Sequence, residues 1–291
     1  MVTIALSGGL GNQMFQYAAA KALATRLNTP LIADLYTFNK KTKATPRSFE
    51  LDVFTLEIEK RNTLSGKLIN KLHPYIQRHR AFFSLIGFFT DTYAMLYQPS
   101  FEKLKGNITM QGNFQNEKYF INIANELRKD FAFRSPLNGK NKDLAEKINQ
   151  TNAVAIHIRR GDYLTNQGAA TNFVTCDKEY YESAINYISG KVAQPEFYIF
   201  SEDFEWIKEN LNFGNSTVTY IDWNKGKDSY IDMQLMSLCK HNIIANSSFS
   251  WWAAWLNKDE NKIVIAPSKW FQSEEKNQLL DDFYPKGWIK I

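Results

Sequence analysis

One stretch limits what this chain can fold into more than any other: Ala153-Val154-Ala155-Ile156-His157-Ile158-Arg159-Arg160-Gly161-Asp162-Tyr163. A short apolar run bounded by turn signals reads as a strand buried on both faces of a parallel sheet. This one ends abruptly in charge. In open α/β sheets, ligands bind just beyond the carboxyl ends of such strands. His157, Arg159, Arg160 and Asp162 therefore stand where an anionic, phosphate-bearing ligand is expected. Arginine suits that task, because its planar fork holds two oxygens at once and stays charged at any ordinary pH. The competing reading is a structural ion pair between Asp162 and the two arginines.

The residues that follow alternate in type. A helix is expected near Lys178 to Ser189, then a strand Glu196 to Phe200 that ends in Ser201-Glu202-Asp203. A helix Phe204 to Leu211, a strand Thr217 to Asp222, a helix Ser229 to Cys239 and a strand Ile243 to Ala245 come next. The polar loop Asn246-Ser247-Ser248-Phe249-Ser250 opens a helix Trp251 to Leu256, and Ile263 to Ala266 reads as a last strand. Strands alternating with helices predict a parallel sheet of Rossmann type. Three strand ends then converge on one edge: Arg159/Arg160/Asp162, Ser201/Glu202/Asp203 and Asn246/Ser247/Ser248. Hydroxyls and N–H groups at a helix start can receive a diphosphate. Each group also has a plainer role, since Ser247 or Ser248 can be a simple N-cap and Glu202 or Asp203 a helix-start charge.

The first half opens the same way. Val2 to Leu6 is a short strand, Ser7-Gly8-Gly9-Leu10-Gly11-Asn12 a glycine-rich loop, and Gln13 to Leu27 a helix. Such a junction is a ready anion site. It is not a dinucleotide fingerprint, because the third glycine would fall at Met14, and no Gly-Lys-Ser/Thr follows to make a P-loop. Leu31 to Asp34 is the next strand, and Lys40 to Lys43 a solvated loop. Asn62 to Lys105 reads as helical and irregular. Its most hydrophobic window, Ala81 to Thr90, is far below the roughly 20 residues of a membrane span. We read it as a core helix with Arg78, His79 and Arg80 as a charged rim; a surface resting on a membrane or holding an acceptor is the alternative. The amides and aromatics of Gln111 to Phe120 suit a sugar. Ser135-Pro136-Leu137-Asn138-Gly139-Lys140 is the best linker, which predicts two Rossmann-like domains, 1–138 and 139–291.

Composition removes other classes. A net charge of +5 over 291 residues is too weak and too evenly spread for a nucleic-acid binder. Two cysteines, Cys176 and Cys239, form neither a disulfide framework nor a metal cluster. With no secretory leader pattern at Met1, a cytoplasmic protein is expected. No Asp-x-Asp occurs in the chain, so arginine and helix dipoles, not a divalent metal, must meet a diphosphate's charge.

At this point the residues resemble a known family. His157-Ile158-Arg159-Arg160-Gly161-Asp162 resembles the HxRRxD motif of fucosyltransferases. Gly8 to Tyr17 and Ile244 to Trp252 resemble the other blocks of the α-1,2-fucosyltransferases, glycosyltransferase family 11. Phe197 to Asp203 and Val264 to Pro267 match in kind. The resemblance implies an α/β GT-B fold with two Rossmann-like halves facing across a cleft, GDP-β-L-fucose as donor, inversion at the anomeric carbon, no metal and no cofactor. It implies a galactose-terminated oligosaccharide or lipid-linked glycan as acceptor. By that likeness Arg159 holds the leaving diphosphate, supported by His157 and Arg160, and Asp162 positions the arginines. Gly9, Gly11, Asn12 and Gln13 lie near the donor. Asp232, Asn246, Ser247, Ser248, Phe249 and Ser250 contact GDP, and Ser201, Glu202 and Asp203 its guanosine side. The family often has Asp where this chain has Glu202.

Asp162 is also the carboxylate nearest in sequence for a catalytic base. The runner-up activity is an α-1,6-type or other GDP-sugar-dependent transferase. A carbohydrate-binding module is the reading from another class, suggested by seven tryptophans. Peripheral association with the inner face of a membrane is a further expectation.

Overall fold

Each half of the chain is built on its own parallel sheet. The computed structural model describes residues 1–39, 47–91, 95–161 and 171–291, the side chains of residues 279 and 281 excepted. Asp162, the Lys40–Lys43 run and residues 165–170 of the polar loop lie outside the described residues. The chain divides into one unit of Met1–Arg134 with Asp281–Phe283, and a second of Ser135–Leu280 with Tyr284–Ile291.

In the first unit the strands are β1 (Val2–Ala5), β2 (Leu31–Asp34), β3 (Glu59–Arg61), β4 (Phe88–Thr90) and β5 (Ile108–Gln111), in the order β3-β2-β1-β5-β4. The helices are α1 (Leu10–Arg26), α2 (Leu64–Arg78), α3 (Arg80–Leu85) and α4 (Ala124–Asp130). All four residues of β1 are buried, as a central parallel strand requires. Helix α1 begins three residues before the predicted start, because Gly9 in extended conformation is its N-cap. Gly11 and Asn12 are therefore helical, not loop.

Two strands here escaped the sequence reading. Strand β3 is Glu-Lys-Arg, fully exposed, with no apolar residue to betray it. A charged edge strand of this kind resists pairing with another chain. Strand β4 lies inside the apolar window of Ala81 to Thr90. That window is not one core helix: α3 ends at Leu85, and Phe82, Leu85 and Ile86 are exposed.

The second unit contains α5 (Gly139–Gln150), β6 (Asn152–Ile158), α6 (Lys178–Ser189), β7 (Pro195–Ser201), α7 (Phe204–Asn210), β8 (Val218–Ile221), α8 (Tyr230–Leu238), β9 (His241–Ile243), α9 (Ser248–Leu256), β10 (Val264–Ala266), α10 (Glu274–Asn277) and β11 (Ile289–Lys290). Its sheet runs β11-β10-β9-β6-β7-β8. This is the doubly wound order in which succession reverses at the first strand. The switch lies between β6 and β9, where Val154 pairs with His241 and Ile156 with Ile243. On the other side β6 pairs with β7 over seven residues, Asn152 to Ile158. One core cluster joins Val154, Ile156 and Ile158 to Tyr181 and Ile185 of α6 and to Phe197 and Ile199 of β7. Trp251 and Trp252 of α9 are wholly buried, hence core and not a sugar platform.

Candidate functional site

The order of the second sheet brings the three predicted clusters side by side. Strand β6 leads directly into Arg159 and Arg160, with β9 and its Asn246-Ser247 loop on one flank and β7 with Ser201-Glu202-Asp203 on the other. The two arginines then turn to opposite sides.

Arg159 reaches toward the switch point. Its guanidinium donates to the Ser247 hydroxyl at 3.0 Å. Ser247 is the N-cap of α9, and its Oγ also accepts from the Phe249 amide at 3.3 Å. One hydroxyl thus joins a strand-end cation to the positive end of a nine-residue helix. Asn246, buried beside it, is fixed by donating to the carbonyls of Val174 at 2.6 Å and Trp270 at 3.1 Å. It accepts weakly from the Cys176 thiol at 3.6 Å. Ser250 turns inward, its hydroxyl donating to the Ala245 and Ser247 carbonyls. Asn246 and Ser250 therefore shape the loop, while Arg159 and Ser247 give it charge and polarity. The His157 ring lies 5.8 Å from the Phe249 ring, and its carbonyl accepts from Tyr181 at 3.2 Å.

Arg160 turns the other way. Its Nε sits 3.0 Å from Asp203 Oδ2, and its guanidinium stacks 3.9 Å from the centre of the Trp206 ring. Asp203 is the N-cap of α7, its second oxygen accepting from the Trp206 amide at 3.2 Å. The Asp203 amide in turn donates to Ser201 at 3.0 Å. Both carboxylate oxygens of Asp203 are thus engaged in holding Arg160 and the start of α7. The sequence named Asp203 but missed Trp206, which lies one helical turn on, where a capped helix start brings it back over the arginine. Gly161 sits so close to Glu202 that an added Cβ would lie 2.5 Å from its carboxylate.

Asp232, in the first turn of α8, belongs to a third group. It accepts from the Asn224 amide at 2.8 Å. Asn224 and Asn141 exchange amide hydrogen bonds at 2.9 and 3.0 Å, and Trp223 donates to Asn141 at 2.8 Å. Burial pushes the Asp232 carboxyl up to about 7, against the opposing hydrogen bond from Asn224. No local signal marks Asn141 or Trp223, since neither stands in a patterned run.

In the first unit the glycine loop departs from the anion site its sequence suggests. The Leu10 amide donates to the Glu50 carboxylate at 2.8 Å, and the amides of Asn12 and Gln13 donate to the Gly9 carbonyl at 3.0 and 3.1 Å. Gln13 is fully buried. Its Nε2 donates to the carbonyls of Gly8 and Ser48, each at 2.8 Å, and its Oε1 accepts from the Glu50 amide at 2.9 Å. A helix start already holding a carboxylate is not an open seat for phosphate. Gln13 is a staple between the loop and residues 48–50, whereas Asn12, in the first turn of α1, accepts from Gln115 at 2.8 Å. An added Cβ on Gly9 would meet the Arg47 guanidinium at 3.4 Å. Among the described residues no group of His, Cys, Asp and Glu is arranged to hold a metal ion.

The likeness to known proteins runs over the whole chain. The family model for glycosyl transferase family 11 matches residues 1–291. The sequence is 36% identical over 298 residues to an alpha-1,2-colitosyltransferase of Escherichia coli, covering 100% of this chain and 99% of that one. It is 25% identical to human galactoside alpha-(1,2)-fucosyltransferase 1 over 87% of this chain and 65% of that protein. The fold is similar to that of NodZ alpha-1,6-fucosyltransferase from Bradyrhizobium. The TM-score is 0.55 at 15% identity, over 88% of this chain and 92% of that one. The two parallel sheets with their helices are a GT-B fold.

Proposed function

The chain belongs to glycosyltransferase family 11, and from that premise we propose that it moves L-fucose from GDP-β-L-fucose to the 2-hydroxyl of a terminal galactose. The acceptor is an oligosaccharide or a lipid-linked glycan, and the new linkage is α-1,2 with inversion at the anomeric carbon. The observation that carries this reading is the pairing of Arg159 with Ser247 at the switch point of a doubly wound sheet. A sugar–diphosphate bond breaks through an oxocarbenium-like transition state, as glycosidic bonds do. The departing diphosphate gains negative charge. A guanidinium and a helix N-terminus fixed in advance stabilise that charge without reorganising.

In this mechanism Arg159 and Ser247 meet the diphosphate, with Ser248 and Phe249 beside them in the first turn of α9. Arg160 is a positioning residue: held by Asp203 and Trp206, it anchors the strand end from which Arg159 reaches Ser247. His157 and Asp232 border the nucleotide, and Glu202 stands free of Asp203's cap duty to accept from its guanosine end. Asp162 remains the candidate base for the acceptor hydroxyl, worth roughly 10²–10⁴ in rate. No metal and no cofactor takes part.

The second reading concerns the donor, because a relative 36% identical over its full length is named for colitose. Colitose lacks the 3-hydroxyl of fucose. A site that hydrogen-bonds that hydroxyl would reject the deoxy sugar by about 10⁴–10⁵, whereas a merely apolar wall would separate the two far less. Incubation with GDP-fucose or GDP-colitose, a panel of galactosides and EDTA, followed by linkage analysis, tests both readings. Transfer that stops in EDTA, or a product that is not α-1,2-linked, overturns the proposal.

A further inference from the structure

Residues 64–86 hold six of the ten large apolar side chains that stand exposed among the described residues: Leu64, Leu68, Tyr75, Phe82, Leu85 and Ile86. Scattered singly, such residues need no explanation; gathered in one patch, they mark a docking face. The geometry of α2 sorts its apolar residues into two stripes. At about 100° per residue, Ile69 and Ile76 fall within about 20° of each other. They are buried and pack with Ala5 of β1. Leu64, Leu68 and Tyr75 fall within about 40° of one another, on a second stripe roughly 110° further round. Leu64 is 82% exposed and Tyr75 65%. Packing on the sheet accounts for the first stripe and not for the second. Helix α3 extends the exposed face, with Phe82 at 60% and Leu85 at 85%. Between the two helices Leu72, Tyr75, His79, Phe82 and Phe83 line a concavity of about 410 Å³.

The charged side chains that this segment itself carries are of one sign, and the Asp34 carboxylate against the start of α2 is buried. Lys67, Lys71 and Arg78 form a third stripe, about 60° beyond the exposed apolar one and away from the core. From Arg61 to Thr90 the sequence contains no Asp or Glu. The carboxylates just outside that span are engaged. Glu59 pairs with Arg61, and buried Asp91 accepts from the amides of Asn113 and Phe114.

We propose that the outward face of α2 and α3 rests on an anionic lipid bilayer. An apolar stripe flanked by lysine and arginine is the pattern of a helix lying in the membrane interface. The basic side chains lay their stems along the apolar surface and reach the headgroups. The fifteen residues of α2 span about 22 Å, short of the roughly 30 Å of a bilayer core. Among the described residues no helix is long and apolar enough to cross a membrane. The face therefore lies on the surface. This holds whatever sugar the chain transfers.

Sedimentation of the full chain with vesicles tests it, using phosphatidylcholine alone or mixed with phosphatidylglycerol. The protein pellets with the anionic vesicles, and high salt weakens the binding. The variant Lys67→Gln/Lys71→Gln/Arg78→Gln loses roughly 100-fold in partitioning, about fivefold per basic residue. Phe82→Ser/Leu85→Ser loses at least tenfold, and both variants keep their Tm because the side chains are exposed. Should the apolar variant unfold, the charge variant carries the test alone. A wild-type protein that ignores both vesicles, or a triple variant that binds as wild type does, overturns the proposal. So does a wild-type dimer that Phe82→Ser/Leu85→Ser breaks, which would assign the face to a second copy.

Discussion

The guanidinium of Arg159 donates to the Ser247 hydroxyl across 3.0 Å, although 88 residues separate them in the chain. The bond exists because β6 and β9 are neighbours in the sheet, so that the charge of one strand end and the helix cap after the other share a crevice. Arg159→Ala should lower kcat by 10²–10³, the range expected when a preorganised donor to a developing anion is removed. Arg159→Lys should recover only part of that loss, since an ammonium lacks the planar fork. Ser247→Ala should cost about 1 kcal/mol of stability as a lost cap and a smaller factor in kcat. Steady-state kinetics with a thermal melt on each variant checks the set; an Arg159→Ala enzyme with near-normal turnover would remove the proposed mechanism.

Asp203 serves two masters, Arg160 through one oxygen and the first turn of α7 through the other. Asp203→Ala should therefore lose about 1 kcal/mol of capping, or roughly 2–4 °C in Tm for a domain of this size. Activity should fall further than stability explains, because Arg160 loses its partner. Trp206→Leu keeps the cap and removes the ring under the guanidinium, a contact of about 0.5–2 kcal/mol. In a double-mutant cycle, the two substitutions should couple in KM for the sugar nucleotide. Strict additivity there would mean that the ring and the carboxylate do not hold Arg160 jointly.

How much of this is legible in the residues alone follows from where information is local. The apolar run of β6 is buried on both faces and so announces itself, as do β7 and α9. The convergence of Arg159, Asp203 and Ser247 on one edge follows from alternation of strands and helices alone. What the residues could not disclose was partnership. Nothing local says that Arg160 chooses Asp203, or that Trp206 lies beneath it. The charged strand β3 hid because its role as an edge removes the apolar pattern by which strands are found. The window Ala81 to Thr90 misled for the opposite reason: its apolar residues are real, but several face outward. The conversion of Gln13 from expected ligand contact to staple depends on Ser48 and Glu50, which local sequence does not connect to it.

Gln13 makes that distinction measurable. Its amide satisfies two carbonyls and one N–H in a fully buried position. Gln13→Ala leaves those groups without partners, at about 1–3 kcal/mol for each one that water cannot reach. The variant should melt several degrees lower and lose activity in proportion to the folded fraction. Its KM for the donor should remain near wild type. A normal melt combined with a large rise in KM would instead assign Gln13 to the donor.

Asp232 sets a pH dependence of definite sign. Burial raises its carboxyl from 3.8 to about 7, so between those values the folded state holds a proton that the unfolded chain has released. A group with a raised folded-state pKa contributes stability below its unfolded pKa, and that contribution is lost as pH rises through the folded value. The protein should therefore lose stability from about pH 4 to pH 7 through this group, with the loss levelling off above. Asp232→Asn keeps an oxygen to accept from Asn224 and has no charge to bury. Relative to wild type it should gain little at pH 4 and several degrees in Tm at pH 8. Melting curves of the two proteins across that range decide the matter: parallel Tm profiles would mean that Asp232 does not titrate in this window.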